Sequence, residues 1–181
     1  AIFKISETII NCYTDFLTKK GFTKMFTPKI VFSGAEGGAN IFKIDYFGRD
    51  LYLAQSPQFY KQYGVGIWGK VYEVAPVFRA EKHNTSRHIN EYISMDLEMG
   101  FIESFEDIMN LEIEFMKELF ENYLPERNRF EIDLLGIEIP VIDKIPVLKL
   151  AEIHEIYKKQ TQKDYTAEPD LAPEEEKFIC E

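Results

Sequence analysis

The sequence is poor in the residues that mark disulfide-stapled, zinc-binding and membrane-spanning proteins. It has 2 cysteines and 3 histidines in 181 residues. Cys12 and Cys180 lie near opposite ends of the chain, and neither has ligand spacing with a histidine. These features disfavour a disulfide and a zinc site, and they fit a reducing, cytoplasmic location. No apolar run is long enough to span a bilayer, and no signal peptide is visible.

Basic residues are also few. The 21 lysines and arginines face 31 aspartates and glutamates, which gives a formal net charge of −10 at pH 7. General nucleic-acid binders are normally basic, so any nucleic acid must meet a local basic surface or parts outside this chain. The chain begins at Ala1 rather than methionine, which suggests a processed or excised segment. At 45% hydrophobic residues, its length and composition predict one folded domain.

Residues 71–99 predict two strands joined by a charged loop. The second arm alternates between an apolar face and a polar face: Ile93, Met95, Leu97 and Met99 against Tyr92, Ser94, Asp96 and Glu98. The first arm places on one side Glu73, Ala75, Val77 and Arg79. If the polar sides coincide, an arginine and several carboxylates share one sheet face. The loop over 80–89 suits a polyanion, although a solvated hairpin with incidental ion pairs fits the spacing equally well.

The N-terminal region carries simpler signals. Apolar residues at helical spacing predict an amphipathic helix over 6–20, ended by Gly21. Residues 22–27 are typical of an extended segment, and Pro28 ends it.

A glycine-rich loop and a hairpin follow. Residues 34–40 permit positive φ, but they lack the spacing and the lysine of a P-loop. Residues 40–47 and 50–54 predict a hairpin around Gly48 and Arg49.

The next helix begins with an anion-binding pattern. Ser56 is a good N-cap and Pro57 a good first helical residue. Gln58 and Lys61 are three residues apart, so they share a face in the first turn. A cation there is unfavourable unless an anion lies between it and the helix N-terminus, which indicates a carboxylate ligand. A surface lysine at a helix start is the simpler alternative.

The second half predicts two helices, a strand pair and an acidic tail. One helix begins at Ser104, with Asp107 as a capping-box variant. Its predicted buried stripe comprises Phe105, Ile108, Met109, Met116, Leu119, Phe120 and Tyr123. Residues 130–133 and 137–142 predict strands around Gly136. A weaker helix over 148–159 and a largely mobile, acidic tail over 161–181 follow.

Three segments together resemble motif 2 of the class II aminoacyl-tRNA synthetases. They are F-R-A-E at 78–81, R-H-I-N-E at 87–91 and M-D-L-E-M at 95–99. They are most similar to the aspartyl-tRNA synthetases of the archaeal and eukaryotic kind. The resemblance implies an α+β fold, a class II synthetase-like antiparallel sheet flanked by helices, here incomplete. It further implies a partial catalytic domain over 1–142 and a helical, insertion-like segment with an acidic tail over 143–181.

The resemblance implies ATP-dependent activation of aspartate and transfer of the aspartyl group to tRNA. Arg79 matches the catalytic arginine that bridges the amino-acid carboxylate and the α-phosphate. The residues implied to bind aspartate are Glu36, Gln58, Lys61, Arg79 and Asp96. Glu36 and Asp96 hold its ammonium group, while Lys61 and Gln58 bind its side chain. The residues implied to bind ATP are Arg79, Ala80, Glu81, Arg87, His88 and Ile89.

Three parts of the family pattern have no match. They are motif 3 (G-x-G-x-x-R), the strand that supplies magnesium-binding acids and the N-terminal anticodon-binding barrel. Mg²⁺ is therefore expected with ligands outside this chain, no metal ligand is assigned within it, and the chain alone is expected not to complete adenylation. Pro28, matching motif 1, implies a homodimer.

Three alternatives stay open. An asparaginyl-tRNA synthetase is disfavoured because Lys61 suits a carboxylate side chain, and because Asp96 stands where asparaginyl enzymes carry glutamate. An enzyme relaxed between aspartate and asparagine is compatible with both residues. A non-catalytic binding or dimerisation module is favoured by the missing motif 3 and opposed by the retained site residues.

Overall fold

The computed structural model describes residues 1–35, 40–81, 89–143 and 145–180. Within them the helices are α1 (Ile2–Lys19), α2 (Gln58–Trp68), α3 (Glu106–Lys117), α4 (Leu124–Arg127), α5 (Arg129–Leu135), α6 (Leu150–Thr161) and α7 (Pro173–Cys180). The strands are β1 (Thr23–Lys24), β2 (Ile30–Val31), β3 (Lys43–Tyr46), β4 (Arg49–Leu53), β5 (Lys70–Phe78) and β6 (Glu91–Met99). None of these helices is long and apolar enough to cross a membrane. The chain divides into two compact units, Ala1–Ile142 and Asp143–Glu181.

Two three-stranded sheets form the framework of the first unit. One has the order β1-β5-β6, with β1 parallel to β5 and β5 antiparallel to β6. The other has the order β2-β4-β3 and is antiparallel throughout. Alternating side chains in β5 and β6 favour such a pair because each strand buries one face on helices. The predicted α+β fold with an antiparallel sheet and flanking helices is confirmed.

Helix α1 covers the apolar face of the first sheet. Its buried side chains join Phe22 and Tyr72 in one cluster, against which Leu97 and Met99 pack. At the other end of β6, however, Ile93 and Met95 are 53% and 39% exposed. The alternation therefore predicted the apolar face correctly. Among the described residues, however, helices cover this face only near Leu97 and leave it exposed at Ile93 and Met95.

Pro76 lies inside β5 without breaking it. The register runs unbroken from Lys70↔Met99 to Phe78↔Glu91, with Pro76 opposite Ile93. The other neighbour, β1, pairs only with Val71 and Tyr72. Pro76 thus lies in a stretch of β5 that has an edge on the β1 side, where a missing N–H leaves no ladder partner unsatisfied. The edge of the sheet, rather than a bulge, therefore accommodates this proline.

The hairpin of β3 and β4 turns one residue earlier than predicted. Tyr46 pairs with Arg49, so the turn residues are Phe47 and Gly48, with φ of +53° and +77°. Two consecutive positive φ values are typical of a type I′ hairpin turn. Glycine supplies the second of them, and Phe47 is a non-glycine residue in the left-handed region.

The strand pair predicted over 130–142 is wrong. Residues Arg129–Leu135 form α5, and the described residues from Ile137 to Ile142 have no regular structure. Gly136 has a left-handed φ of +62°, and the Ile137 N–H donates to the carbonyl oxygen of Ile132 at 3.1 Å. Gly136 is therefore a helix C-cap rather than a hairpin turn.

The stripe predicted for the helix after Ser104 is only partly buried. The helix begins at Glu106, and Asp107 Oδ2 accepts the Ser104 N–H at 3.4 Å. Phe105 is 66% exposed, whereas Tyr123 is buried. Between them the helix passes through a π-helical stretch, Glu118–Tyr123. An extra residue per turn rotates the buried face, so a stripe drawn at 3.6-residue spacing does not continue across it.

In the second unit, the prediction of a mobile tail is wrong for α7. That helix packs through a buried pair: His154 Nδ1 lies 2.7 Å from Glu175 Oε1, and the two residues are 3% and 0% exposed. Glu175 Oε2 also accepts the Ala172 N–H at 3.0 Å. Phe178 of α7 meets the ring of Tyr157 edge to face at 5.3 Å. The acidic run therefore includes one carboxylate, that of Glu175, that is buried rather than solvated.

Replacing Glu175 by alanine is expected to unfold α7 locally. Removing one partner of a buried pair costs about 3–5 kcal/mol, since the other polar group stays buried without its partner. Amide hydrogen exchange over 173–180 in the full-length protein measures the effect and should approach the rate of an unprotected chain. The control is Glu155→Ala, an exposed carboxylate on α6. Unchanged protection of α7 in Glu175→Ala would contradict the structural role of the pair.

Candidate active site

A close approach of α2 to the first sheet builds the site. A Cβ at Gly64 would lie 2.6 Å from Met25 Sδ and 3.0 Å from Val71 Cγ1. Only glycine therefore fits at this point of α2 without a shift of its neighbours. Lys61 lies one turn earlier on the same helix face, so the approach at Gly64 carries the Lys61 side chain onto the sheet.

Lys61 is buried among carboxylates of β6. Its side chain is only 7% exposed. Lys61 Nζ donates to Asp96 Oδ1 at 2.5 Å and lies 3.5 Å from Glu98 Oε2. Ser94 Oγ donates to the other oxygen, Asp96 Oδ2, at 2.7 Å. The anion expected beside Lys61 is thus supplied at least in part by the chain itself, which sequence spacing did not indicate.

The polar faces of β5 and β6 coincide, which the alternation of side chains alone left open. Glu73 is the register partner of Asp96, and Val71 is the partner of Glu98. Directly opposed residues in an antiparallel pair have Cβ atoms about 4.5–5.5 Å apart. Two carboxylates, Glu73 and Asp96, therefore stand side by side on the face that α2 covers. Like charges in such a position are destabilising unless each has its own partner.

The partner of Glu73 comes from the segment after β1, and sequence reasoning missed it. Glu73 is 2% exposed, and its Oε1 accepts the Thr27 N–H at 2.6 Å. Its Oε2 accepts from Thr27 Oγ1 and from Lys29 Nζ, both at 2.7 Å. The only sequence signal was a threonine and a lysine on either side of Pro28. The network joins that segment to the strand carrying the site.

Arg79, Ala80 and Glu81 follow directly after β5, and backbone hydrogen bonds hold them in place. The Arg79 N–H donates to the carbonyl oxygen of Asn90 at 2.9 Å, and the Ala80 N–H donates to that of Asn40 at 3.0 Å. The Glu81 N–H donates to the carbonyl oxygen of Arg79 at 2.8 Å. The Arg79 segment is therefore fixed between the residue preceding β6 and the segment preceding β3.

The remaining predicted residues divide into two groups. Gln58 is half-buried at the first position of α2, and Ser56 Oγ accepts its N–H at 3.4 Å. The N-cap is Pro57, one residue later than predicted. Ile89, before β6, is 60% exposed. Glu36, Arg87 and His88, which the family resemblance implies as ligand-binding residues, lie outside the described residues.

Metal binding has no candidate in the described ranges. They hold no group of three or more histidine, cysteine, aspartate or glutamate side chains placed to bind an ion. The two carboxylates that are register partners in the first sheet, Glu73 and Asp96, each hydrogen-bond a lysine instead. No described residue is therefore assigned to Mg²⁺.

The arrangement offers complementary charges to a small zwitterion. Lys61 Nζ can pair with a carboxylate, and Asp96 can accept hydrogen bonds from an ammonium group. Both charges are on one covered sheet face, where their interactions are stronger than in water. A molecule with both kinds of charge can exchange partners with the Lys61–Asp96 pair without leaving a buried charge unpaired.

Comparison with known proteins defines the class. The family model described as tRNA synthetases class II (D, K and N) matches residues 1–181. An aspartate–tRNA(Asp/Asn) ligase of Deinococcus radiodurans is 44% identical over 182 residues, covering 100% of this chain and 41% of that protein. An aspartate–tRNA(Asp) ligase of Thermococcus kodakarensis is 45% identical over 143 residues, covering 77% of this chain and 32% of that protein.

A solved structure agrees with the same class. Asparaginyl-tRNA synthetase from Pyrococcus horikoshii, complexed with asparaginyl-adenylate, superposes with a TM-score of 0.89 and 30% identity, over 98% of this chain and 41% of that one. This chain belongs to the class II tRNA synthetases of the D, K and N group. It spans about two fifths of the length of the relatives that it matches throughout.

Proposed function

We propose that this chain is part of an aspartate–tRNA ligase and forms its amino-acid-binding and ATP-binding face. The full enzyme activates aspartate with ATP to aspartyl-adenylate and transfers the aspartyl group to tRNA. The observation that carries the proposal is the buried Lys61, whose Nζ lies 2.5 Å from Asp96 Oδ1 on the covered sheet face. The names of relatives 43–46% identical to the chain, all aspartate–tRNA ligases, support the same substrate.

The proposed chemistry needs no protein nucleophile. An oxygen of the aspartate α-carboxylate, already ionised, attacks the α-phosphorus of ATP. A bond to that phosphorus forms, the bond to the bridging oxygen of the β-phosphate breaks, and pyrophosphate leaves. The oxygen of a hydroxyl at the 3′ end of tRNA then attacks the activated carbonyl carbon, AMP leaves, and the hydroxyl proton is released. Catalysis is therefore mainly positioning and stabilisation of developing charge.

The proposed roles follow the charges of the side chains. Arg79 bridges the α-carboxylate and the α-phosphate, a task that suits a planar guanidinium fork. Lys61 binds the side-chain carboxylate with Gln58 beside it, and Asp96 accepts the ammonium group. The further proposed ligands are Glu36 for the ammonium, Glu81 for the adenine amino group with backbone of Ala80 and Ile89, and Arg87 and His88 for the distal phosphates.

The proposal extends to the whole protein. Residues 1–142 belong to the catalytic domain, and residues 143–181 form an insertion-like segment. The enzyme works in the cytoplasm as a homodimer through the region around Pro28, and Mg²⁺ binds with ATP through ligands elsewhere. Lys29, next to Pro28, hydrogen-bonds Glu73 on the site-bearing strand, so the proposed interface around Pro28 lies close to the site.

A relaxed enzyme that also serves the asparagine tRNA is the second candidate. Two relatives that match the whole chain are named aspartate–tRNA(Asp/Asn) ligases, at 44% and 45% identity. Such an enzyme still activates aspartate, so the amino-acid site is the same in both candidates. They differ in the tRNA that accepts the product.

Amino-acid-dependent ATP–pyrophosphate exchange by the full-length protein tests the proposal. Aspartate should support exchange, and asparagine and lysine, the other substrates of the family group, should not. Charging of purified aspartate and asparagine tRNAs then separates the strict enzyme from the relaxed one. Exchange with asparagine or lysine but not with aspartate would overturn the proposed function.

A further inference from the structure

Two lysines on the covered sheet face stand on either side of two neighbouring carboxylates. Lys29 Nζ donates to Glu73 Oε2 at 2.7 Å, and Lys61 Nζ donates to Asp96 Oδ1 at 2.5 Å. Glu73 and Asp96 are register partners on β5 and β6. The order across the face is therefore Lys29, Glu73, Asp96, Lys61, a row in which each carboxylate has its own cation.

The row makes Lys29 an indirect partner of Lys61. Glu73 is 2% exposed, so its charge must be balanced by protein groups rather than by water. Thr27 gives it two hydrogen bonds but no charge. Without Lys29, the cation left in the row is Lys61, whose Nζ already donates to Asp96 and lies 3.5 Å from Glu98 Oε2. Three carboxylates would then share one ammonium group.

We propose that Lys29 is a positioning residue that sets amino-acid specificity. Lys29 neutralises Glu73 and thereby keeps Lys61 available for the side-chain carboxylate of the substrate. This inference rests on the proposed function, since it takes aspartate as the molecule that Lys61 binds. It assigns to the segment beside Pro28 a part in choosing the amino acid, through charge and without contact with the substrate.

The asymmetry between the two residues distinguishes this role from a purely structural ion pair. Lys29→Met leaves Glu73 charged and buried beside Asp96, so it draws Lys61 away from an anionic substrate. Glu73→Gln removes that charge and leaves Lys29, whose side chain is 22% exposed, in reach of water. A structural pair would suffer from either change, whereas the proposed role is lost only in Lys29→Met.

Steady-state ATP–pyrophosphate exchange by the full-length protein tests the proposal. Lys29→Met should raise the KM for aspartate about tenfold or more, because the Glu73 carboxylate, without Lys29, competes with aspartate for Lys61. The KM for ATP should be unchanged, because Lys61 does not bind ATP. Glu73→Gln should leave both constants within about threefold of the wild type. The double variant Lys29→Met/Glu73→Gln should recover the aspartate KM, since no uncompensated charge is left. Lys43→Met, which removes an exposed cation of the other sheet, is the control.

Three results would overturn the inference while leaving the proposed function intact. They are equal increases in the KM values for aspartate and ATP in Lys29→Met, no increase in that variant, and no recovery of the aspartate KM in the double variant. A wild-type protein without aspartate-dependent exchange would overturn the proposed function and this inference together. Thermal unfolding of each variant shows whether a loss of rate reflects a loss of folded protein.

Discussion

Arg79→Ala in the full-length protein is expected to lower the rate of ATP–pyrophosphate exchange by roughly two orders of magnitude or more, the effect of removing one preorganised charge-stabilising donor. The reason is that charge develops on the α-phosphate in the transition state, where the proposed guanidinium fork would meet it. Backbone hydrogen bonds on both sides of Arg79 hold the segment in position, so the loss should affect the chemistry more than the fold.

Two further variants sharpen the test of Arg79. Arg79→Lys keeps the charge but loses the planar pair of donors, so it should recover only a small part of the rate. Arg49→Ala removes an exposed arginine at the turn of the β3–β4 hairpin and should leave the rate unchanged. A near-normal exchange rate in Arg79→Ala would refute the role proposed for this residue.

Lys61→Met is expected to raise the KM for aspartate by roughly a hundredfold, because truncating one partner of a buried, hydrogen-bonded charge pair typically costs 2–5 kcal/mol. The variant leaves Asp96 and Glu98 on the covered face without their common cation, so the site repels the substrate side chain that it should bind. The KM for ATP should change much less.

The comparison of aspartate with asparagine adds a second readout for Lys61. The side chain of asparagine carries no charge to pair with Lys61. Lys61→Met should therefore weaken the binding of aspartate more than that of asparagine, and so reduce the preference for aspartate. Exchange kinetics with each amino acid measure it, with Lys43→Met as the exposed control. Equal increases in the KM for aspartate and the KM for ATP would indicate that Lys61 only supports the fold.

The face that carries the site could be predicted from the sequence because a strand has a period of two. Alternation alone placed Asp96 and Glu98 on one side of β6, and the register with β5 agrees. The contact between Lys61 and Asp96 could not be predicted in this way. It depends on the approach of α2 at Gly64, a tertiary contact that helix spacing does not contain.

The failed predictions have the same physical origin. Gly136 was interpreted as a hairpin turn, but its left-handed φ caps α5, and short apolar runs do not separate the two cases. The acidic run near the C-terminus was interpreted as a solvated tail, yet Glu175 is fully buried against His154, 21 residues away. The role of Lys29 could not be predicted, because nothing local in the sequence indicates that Glu73, 44 residues further on, is its partner.

A crystal structure of the full-length protein with a non-hydrolysable aspartyl-adenylate mimic tests the central claim most directly. The account predicts the side-chain carboxylate of the mimic within hydrogen-bond distance of Lys61 Nζ, its ammonium group on Asp96, and the group replacing the α-phosphate on Arg79. The claim would be contradicted if Lys61 kept only Asp96 and Glu98 as partners while the carboxylate bound elsewhere.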